Sequence, residues 1–157
     1  MKISNFVWMS EVVKSNTATR KGIDNCPNEL QMDRIKALAE MVFDPLRSWV
    51  GGQVKINSGF RSEKLNRAIG GSKNSQHMAN NGAAFDIDDT FGNATNAQMF
   101  HYIKDFLSCD QLIWEFGDDK NPSWVHVSYA SPSVNRMQVL VAKKNSKNKT
   151  YYTKYDS

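Results

Sequence analysis

The chain lacks any run of about 18 consecutive apolar residues, so a membrane-spanning helix is not expected. Its first residues, MKISNFVWMSEVVKSN, have no Lys/Arg-rich start, no long apolar core and no small-residue cleavage site. No signal peptide is therefore expected. Cysteine is scarce: Cys26 and Cys109 stand far apart and belong to no CxxC pair. Two reduced thiols are the expectation, rather than a disulfide framework. There is no internal repeat, and the longest low-complexity run is KKNSKNK. No nucleic-acid motif that interleaves aromatic and basic residues occurs, and no nucleic-acid partner is expected. Histidine is also rare, so any imidazole chemistry falls to His77, His101 and His126.

What is present suits one globular unit. The 157 residues are the size of one domain with one core, with 40% apolar and 23% charged residues. We read residues 1–157 as a single domain. The formal net charge of +4 favours an anionic partner such as a cell-wall polymer, nucleic acid or anionic lipid. Five of the lysines sit in the tail AKKNSKNKTYYTKYDS, where a solvated basic face explains them equally well.

Periodicity gives the elements. A short helix and a turn-rich arm are expected over SEVVKSNTATRKGIDNCPN. Met32, Ile35, Leu38, Ala39 and Val42 then fall at helical spacing, with a kink or restart near Pro45 and a stop at Gly51-Gly52. QVKINSG alternates as a short strand, SEKLNRAIGG reads as a short helix, and AAFDID as a second strand. NATNAQMFHYIKDFLS forms another helix. QLIWEFG and WVHVSY read as a hairpin across DDKNPS, and RMQVLVA and TYYTKY as a second one across KKNSKNK. The sum is three main helices and five or six strands, an α+β fold with a mainly antiparallel sheet.

One stretch, SQHMANNGAAFDID, raises a chemical question. A catalytic zinc site takes three protein ligands and leaves a position for water. His77, Asp86 and His126 would supply two imidazoles and a carboxylate. His101 falls in an ordinary amphipathic helix and reads as a packing residue. The competing readings are a surface histidine and an acidic turn at DIDD. Calcium is disfavoured, because the EF-hand spacing and its closing Glu are absent. Gly82 and the alanines after it let backbone pass close to a metal or substrate. Asp86 and Asp88 alternate with Ile87 and so share one face of a strand. A buried carboxylate needs a counter-charge, which a cation supplies.

The stretches TATRKGIDN, VFDPLRSWVG, INSGFRSEKLN, IGGSKNSQH, GAAFDID, QLIWEFG, WVHVSY and NRMQVL, in this order over about residues 17–140, resemble the M15 peptidases. These are zinc D-Ala-D-Ala carboxypeptidases and peptidoglycan endopeptidases, and the likeness is greatest to their compact phage and bacterial subgroup. The pattern SxH, then GxAxD, then a Trp-x-His strand carries the resemblance. It implies a hedgehog/DD-peptidase-like domain with a basic tail hairpin over residues 141–157. It also implies one zinc per chain on His77, Asp86 and His126. Arg61 would face the scissile carbonyl or a substrate carboxylate. Ser75 and Gln76 would line the same pocket, with Trp124 as a wall. Trp114 is a second candidate wall, and one of the two tryptophans is expected in the core.

The sequence departs from the family pattern twice. Four residues, MANN, separate His77 from Gly82 where two are usual. A loop absorbs such an insertion cheaply. The general base that several members carry three positions before the last zinc His is replaced by Ser123. If QLIWEFG and WVHVSY pair across DDKN, Glu115 faces Trp124 and lies one pleat from His126 on the same side. Glu115 is then the candidate base, with the turn residues Asp118 and Asp119 as the fallback. The function implied is zinc-dependent hydrolysis of an amide in the peptidoglycan stem. The setting implied is a monomeric phage or prophage lysin freed through a holin, or a virion-associated wall hydrolase. The alternative is an inactive virion or wall-binding module of the same fold.

Overall fold

The computed structural model describes residues 1–156. Six strands form one sheet: β1 (Lys55–Ser58), β2 (Ala83–Asp88), β3 (Gln111–Glu115), β4 (Trp124–Tyr129), β5 (Gln138–Lys144) and β6 (Thr150–Lys154). Their order across the sheet is β1-β2-β4-β3-β5-β6. Every neighbouring pair is antiparallel except β3 with β5. The chain reverses at the β3–β4 and β5–β6 hairpins, and the 130–137 loop carries it past the start of β3. The fold is α+β with a mostly antiparallel sheet, as the residue pattern predicts.

The helices are α1 (Met9–Val12), α2 (Asn16–Lys21), α3 (Glu29–Leu38), α4 (Asp44–Val50), α5 (Glu63–Ala68) and α6 (Asn96–Phe106). The two longest, α3 and α6, start on capping boxes, Asn28 with Gln31 and Thr95 with Gln98. Each box satisfies orphan backbone donors reciprocally. Between α3 and α4 the chain makes one wide turn over Ala39–Phe43, where the Asp44 N–H bonds the Ala39 carbonyl five residues back. Pro45 follows at once. Its ring has no N–H and would clash with the carbonyl four residues before it, so the helix widens there rather than breaking. Asp44 does not cap its own helix, as DP would suggest. Its carboxylate accepts from Ser4 Oγ and from the N–H groups of Asn5 and Phe6, tying down the N-terminal arm.

Alternation divides the sheet into two faces. Phe85, Ile87, Leu112, Trp114, Val125 and Val127 are buried under the helices, with Ile35, Leu38, Met99, Phe100 and Ile103 packed against them. Trp114 is therefore core, edge-on to Phe100 at 5.2 Å between ring centroids. The opposite face carries Asp86, His126 and Ile113 in one cross-strand row and Trp124, Glu115 and Ala142 in the next. That face is the floor of the cleft described below.

Candidate metal centre and cleft

Three elements bring the histidines and aspartate together. Asp86 on β2 pairs directly with His126 on β4, so the two side chains rise from the same face. His77 comes from a single 3₁₀ turn, Gln76–Met78, in the loop before β2. Ser75 begins that turn by accepting a hydrogen bond from the His77 N–H, at 3.3 Å. His77 Nε2 lies 3.4 Å, and His126 Nδ1 2.9 Å, from Asp86 Oδ1. One ligand atom from each residue falls within 4.8 Å of the others. Ligand arms of zinc length in a tetrahedron put neighbouring donors about 3.4 Å apart, so the donor set fits one such ion.

The surroundings prepare these groups to ligate. His77 Nδ1 is 2.8 Å from the Gly59 carbonyl, which fixes the proton on that nitrogen and turns Nε2 to the site. Burial lowers the His77 pKa, against the pull of Asp86, and keeps the imidazole neutral. Burial would raise the pKa of Asp86, but its close contacts with His77 and His126 outweigh burial and hold the carboxyl ionised, well below the usual carboxylate range. Arg61 Nη2 stands 3.7 Å from Asp86 Oδ2 and its Nε 3.3 Å from Ser58 Oγ. Desolvation lowers the Arg61 pKa, while Asp86 opposes the shift.

The four-residue loop MANN closes without spreading the ligands. Gln31 on α3 donates to the Met78 carbonyl and Arg34 to the Ala79 carbonyl, at 3.1 and 2.9 Å. Ala79 takes a left-handed φ of 56°, uncommon for a residue with a side chain. Gly82 serves a different neighbour from the metal or substrate expected. It has φ +84°, and a Cβ there would stand 2.5 Å from the Tyr129 carbonyl oxygen. Its small size lets β2 start against the end of β4.

The centre opens on a cleft of about 860 Å³ whose lining includes Arg61, Ser75, Gln76, Glu115, Trp124 and His126. Glu115 is opposite Trp124 in the register that the hairpin predicts, and Ile113, two residues away, is opposite His126. It is 8% exposed. Burial, joined by the charge of Asp86 and opposed by His126, pushes its pKa up to about 7. Asp118 is committed to the turn, accepting from the N–H groups of Lys120 and Asn121 at 2.8 and 2.9 Å. Neither Asp118 nor Asp119 lines the cleft. His101 packs edge-on against Phe100 and Trp114, away from the centre.

Gln76 lines the cleft as expected, but its partners, and the residues that reach the cleft from the last two strands, were not foreseen in the sequence. Gln76 Nε2 donates to the Asn81 carbonyl and to Asp110 Oδ2, while its Oε1 is buried without a protein partner among the described residues. Asp110 in turn accepts two side-chain hydrogen bonds from Arg136, at 3.0 and 2.8 Å. Lys144, Thr150 and Tyr152 reach the cleft from β5 and β6. Alternation in TYYTKY places Thr150 and Tyr152 on one face. Which face depends on a parallel pairing with a strand more than twenty residues earlier.

A His-Asp-His group with His77 buried and Asp86 and His126 partly buried, in an open cleft that Glu115 also lines, is the kind of centre a metallohydrolase uses. The family described as Peptidase M15 matches residues 5–128, well over half of the chain, and the chain belongs to that family. M15 peptidases are zinc-dependent, and this chain holds a His-Asp-His group that could take the metal. A comparison with curated proteins finds no match. Among the described residues, no helix is long and apolar enough to cross a membrane.

Proposed function

We propose that the protein hydrolyses an amide bond in the peptide stem of bacterial peptidoglycan, with zinc held by His77, Asp86 and His126. The observation that carries this reading is the placing of Glu115 one pleat from His126 on the same cleft floor. When bound, zinc would supply Lewis acidity toward the scissile carbonyl and acidify the attacking water. Glu115 takes the proton from that water and delivers it to the leaving amine. A carboxyl with a pKa near 7 suits a group that must both accept and return a proton. Arg61, desolvated and fixed between Ser58 and Asp86, stabilises the oxyanion or clamps a terminal carboxylate. Ser75 and Gln76 line the cleft, and Trp124 forms one wall.

The setting we propose is a wall hydrolase of phage type, released to the wall or carried on a virion. The net charge of +4 suits association with an anionic wall polymer. The test is metal content of wild type and His126→Ala, with zymography on purified peptidoglycan. One zinc per chain that is lost with His126, together with clearing by wild type, is the expected outcome. Zinc without clearing on several wall chemotypes would favour an inactive module of the same fold. Ser123 at the family's usual base position is the feature that motivates that rival.

A further inference from the structure

The family match ends at residue 128, yet the cleft floor continues across β5 and β6. In register, Glu115 faces Ala142, Ala142 faces Tyr152, and Lys144 faces Thr150. These residues share the face that carries His126. Ala142 is fully buried, whereas Tyr152 on the edge strand is 55% exposed. Lys144 and Tyr152 are diagonal neighbours on paired strands, within reach of one common ligand.

Two further features aim this end of the cleft at a ligand. Phe116 has a φ of 57°, a conformation that side-chain-bearing residues rarely adopt. Strict alternation after Glu115 would send its ring to the core face. The left-handed turn sends it to the cleft instead, where it meets Trp124 at 5.4 Å between centroids. Lys144 Nζ sits 5.4 Å over the same ring, which orients the ammonium without neutralising it. The two cleft arginines each have a carboxylate partner in the protein, Arg61 with Asp86 at 3.7 Å and Arg136 with Asp110 at 2.8 Å. Lys144 makes no ion pair among the described residues.

We propose that Phe116, Lys144 and Tyr152 form a subsite for a carboxylate carried by the peptide substrate, beyond the catalytic centre. The proposal rests on the peptidase reading above. Lys144 supplies the charge, the Tyr152 hydroxyl a second donor, and Phe116 the apolar side. Strand spacing and rise put the Lys144 Cα about 8 Å from that of Glu115. The carboxylate recognised is then one or two extended residues from the scissile bond. Desolvation, joined by the acidic charges of Glu115 and Asp86, raises the Tyr152 pKa and keeps the phenol a donor.

The test is a titration of two synthetic stem peptides onto the zinc-loaded full chain carrying Glu115→Gln. One peptide is acidic; the other has its side carboxylates amidated and its terminal carboxylate kept. Adding Lys144→Gln should weaken the acidic peptide about threefold to tenfold and leave the amidated one unchanged. Adding Tyr152→Phe should cost about twofold to fivefold, again for the acidic peptide alone. Equal loss for both peptides, no loss for either, or no binding of either peptide would overturn the subsite. Wall clearing by wild type tests the hydrolase reading separately. Clearing without the carboxylate-dependent loss sinks the subsite alone. Carboxylate-dependent binding without clearing supports the subsite and sinks the hydrolase.

Discussion

Glu115 illustrates how one residue's chemistry comes from its neighbours. An ordinary glutamate would be ionised throughout the neutral range and poor at returning a proton. Burial beside Asp86 raises this one to about 7. Glu115→Gln keeps the shape and removes the base. It should lower kcat by about 10²–10⁴-fold, as losing a general base does, while zinc per chain stays at the wild-type value. Metal analysis beside single-turnover kinetics checks both halves. The same shift has a stability consequence in the metal-free protein. Its folded pKa lies above the unfolded value, so stability is fully present below about pH 4.3 and declines as pH rises toward 7. Urea unfolding of chelated protein should therefore show Glu115→Gln more stable than wild type at pH 8, with the gap closing by pH 4.

Elements act through the places where they meet. Asp110, buried at the start of β3, gathers Gln76 of the ligand loop and Arg136 of the 130–137 loop onto one carboxylate. Hydrogen bonds from Arg136 lower its pKa. The stability it lends is present above the ordinary carboxylate value, about 3.9, and is lost as pH falls through the lower folded value. Asp110→Asn should cost about 1.5–3 kcal/mol at pH 7 by weakening charge-assisted bonds. It should cost much less at pH 2, and urea midpoints at the two pH values measure the difference. Gly82→Ala tests the β2–β4 junction. With φ at +84° and a carbonyl 2.5 Å from the new Cβ, it should destabilise by at least about 1–3 kcal/mol. Thermal unfolding reads this directly.

Much of this scale was legible from residues. Alternation in QLIWEFG and WVHVSY, joined by a short polar turn, determines a register, and the register puts Glu115 opposite Trp124. The spacing around Pro45 marked the disturbed helix, though not that the turn would widen. Other features needed the folded chain. Asp44 stands beside Pro45 at that disturbance, but the partners of its carboxylate lie about forty residues away. Gly82 is small for the sake of Tyr129, a contact across two strands that no local pattern contains. The link from Gln76 through Asp110 to Arg136 joins three segments whose proximity is set by the sheet.

At the scale of the whole molecule, charge and sheet order matter together. Lys147 and Lys149 sit at the β5–β6 turn, away from the metal centre, and both are exposed. Charge reversal, Lys147→Glu with Lys149→Glu, should weaken wall association and its salt dependence. Turnover of a small soluble peptide should not change. Sedimentation with insoluble peptidoglycan across a salt series, beside peptide kinetics, separates the two. The basic tail was visible in the composition. That its hairpin extends the cleft floor was not, because β5 joins β3 by a parallel pairing.

That pairing also has a consequence for how the molecule comes into being. During synthesis β3 emerges well before β5, and until β5 arrives one edge of β3 has no partner. An unpaired edge next to apolar side chains is a template for the wrong strand. The nascent chain must hold β3 and β4 as a half-covered hairpin until residues 130–144, the loop and β5, have been added. Full assembly of the Trp124–Glu115–Ala142–Tyr152 row therefore waits on the later strands, and a chain stalled before β5 would carry its ligands without a finished floor.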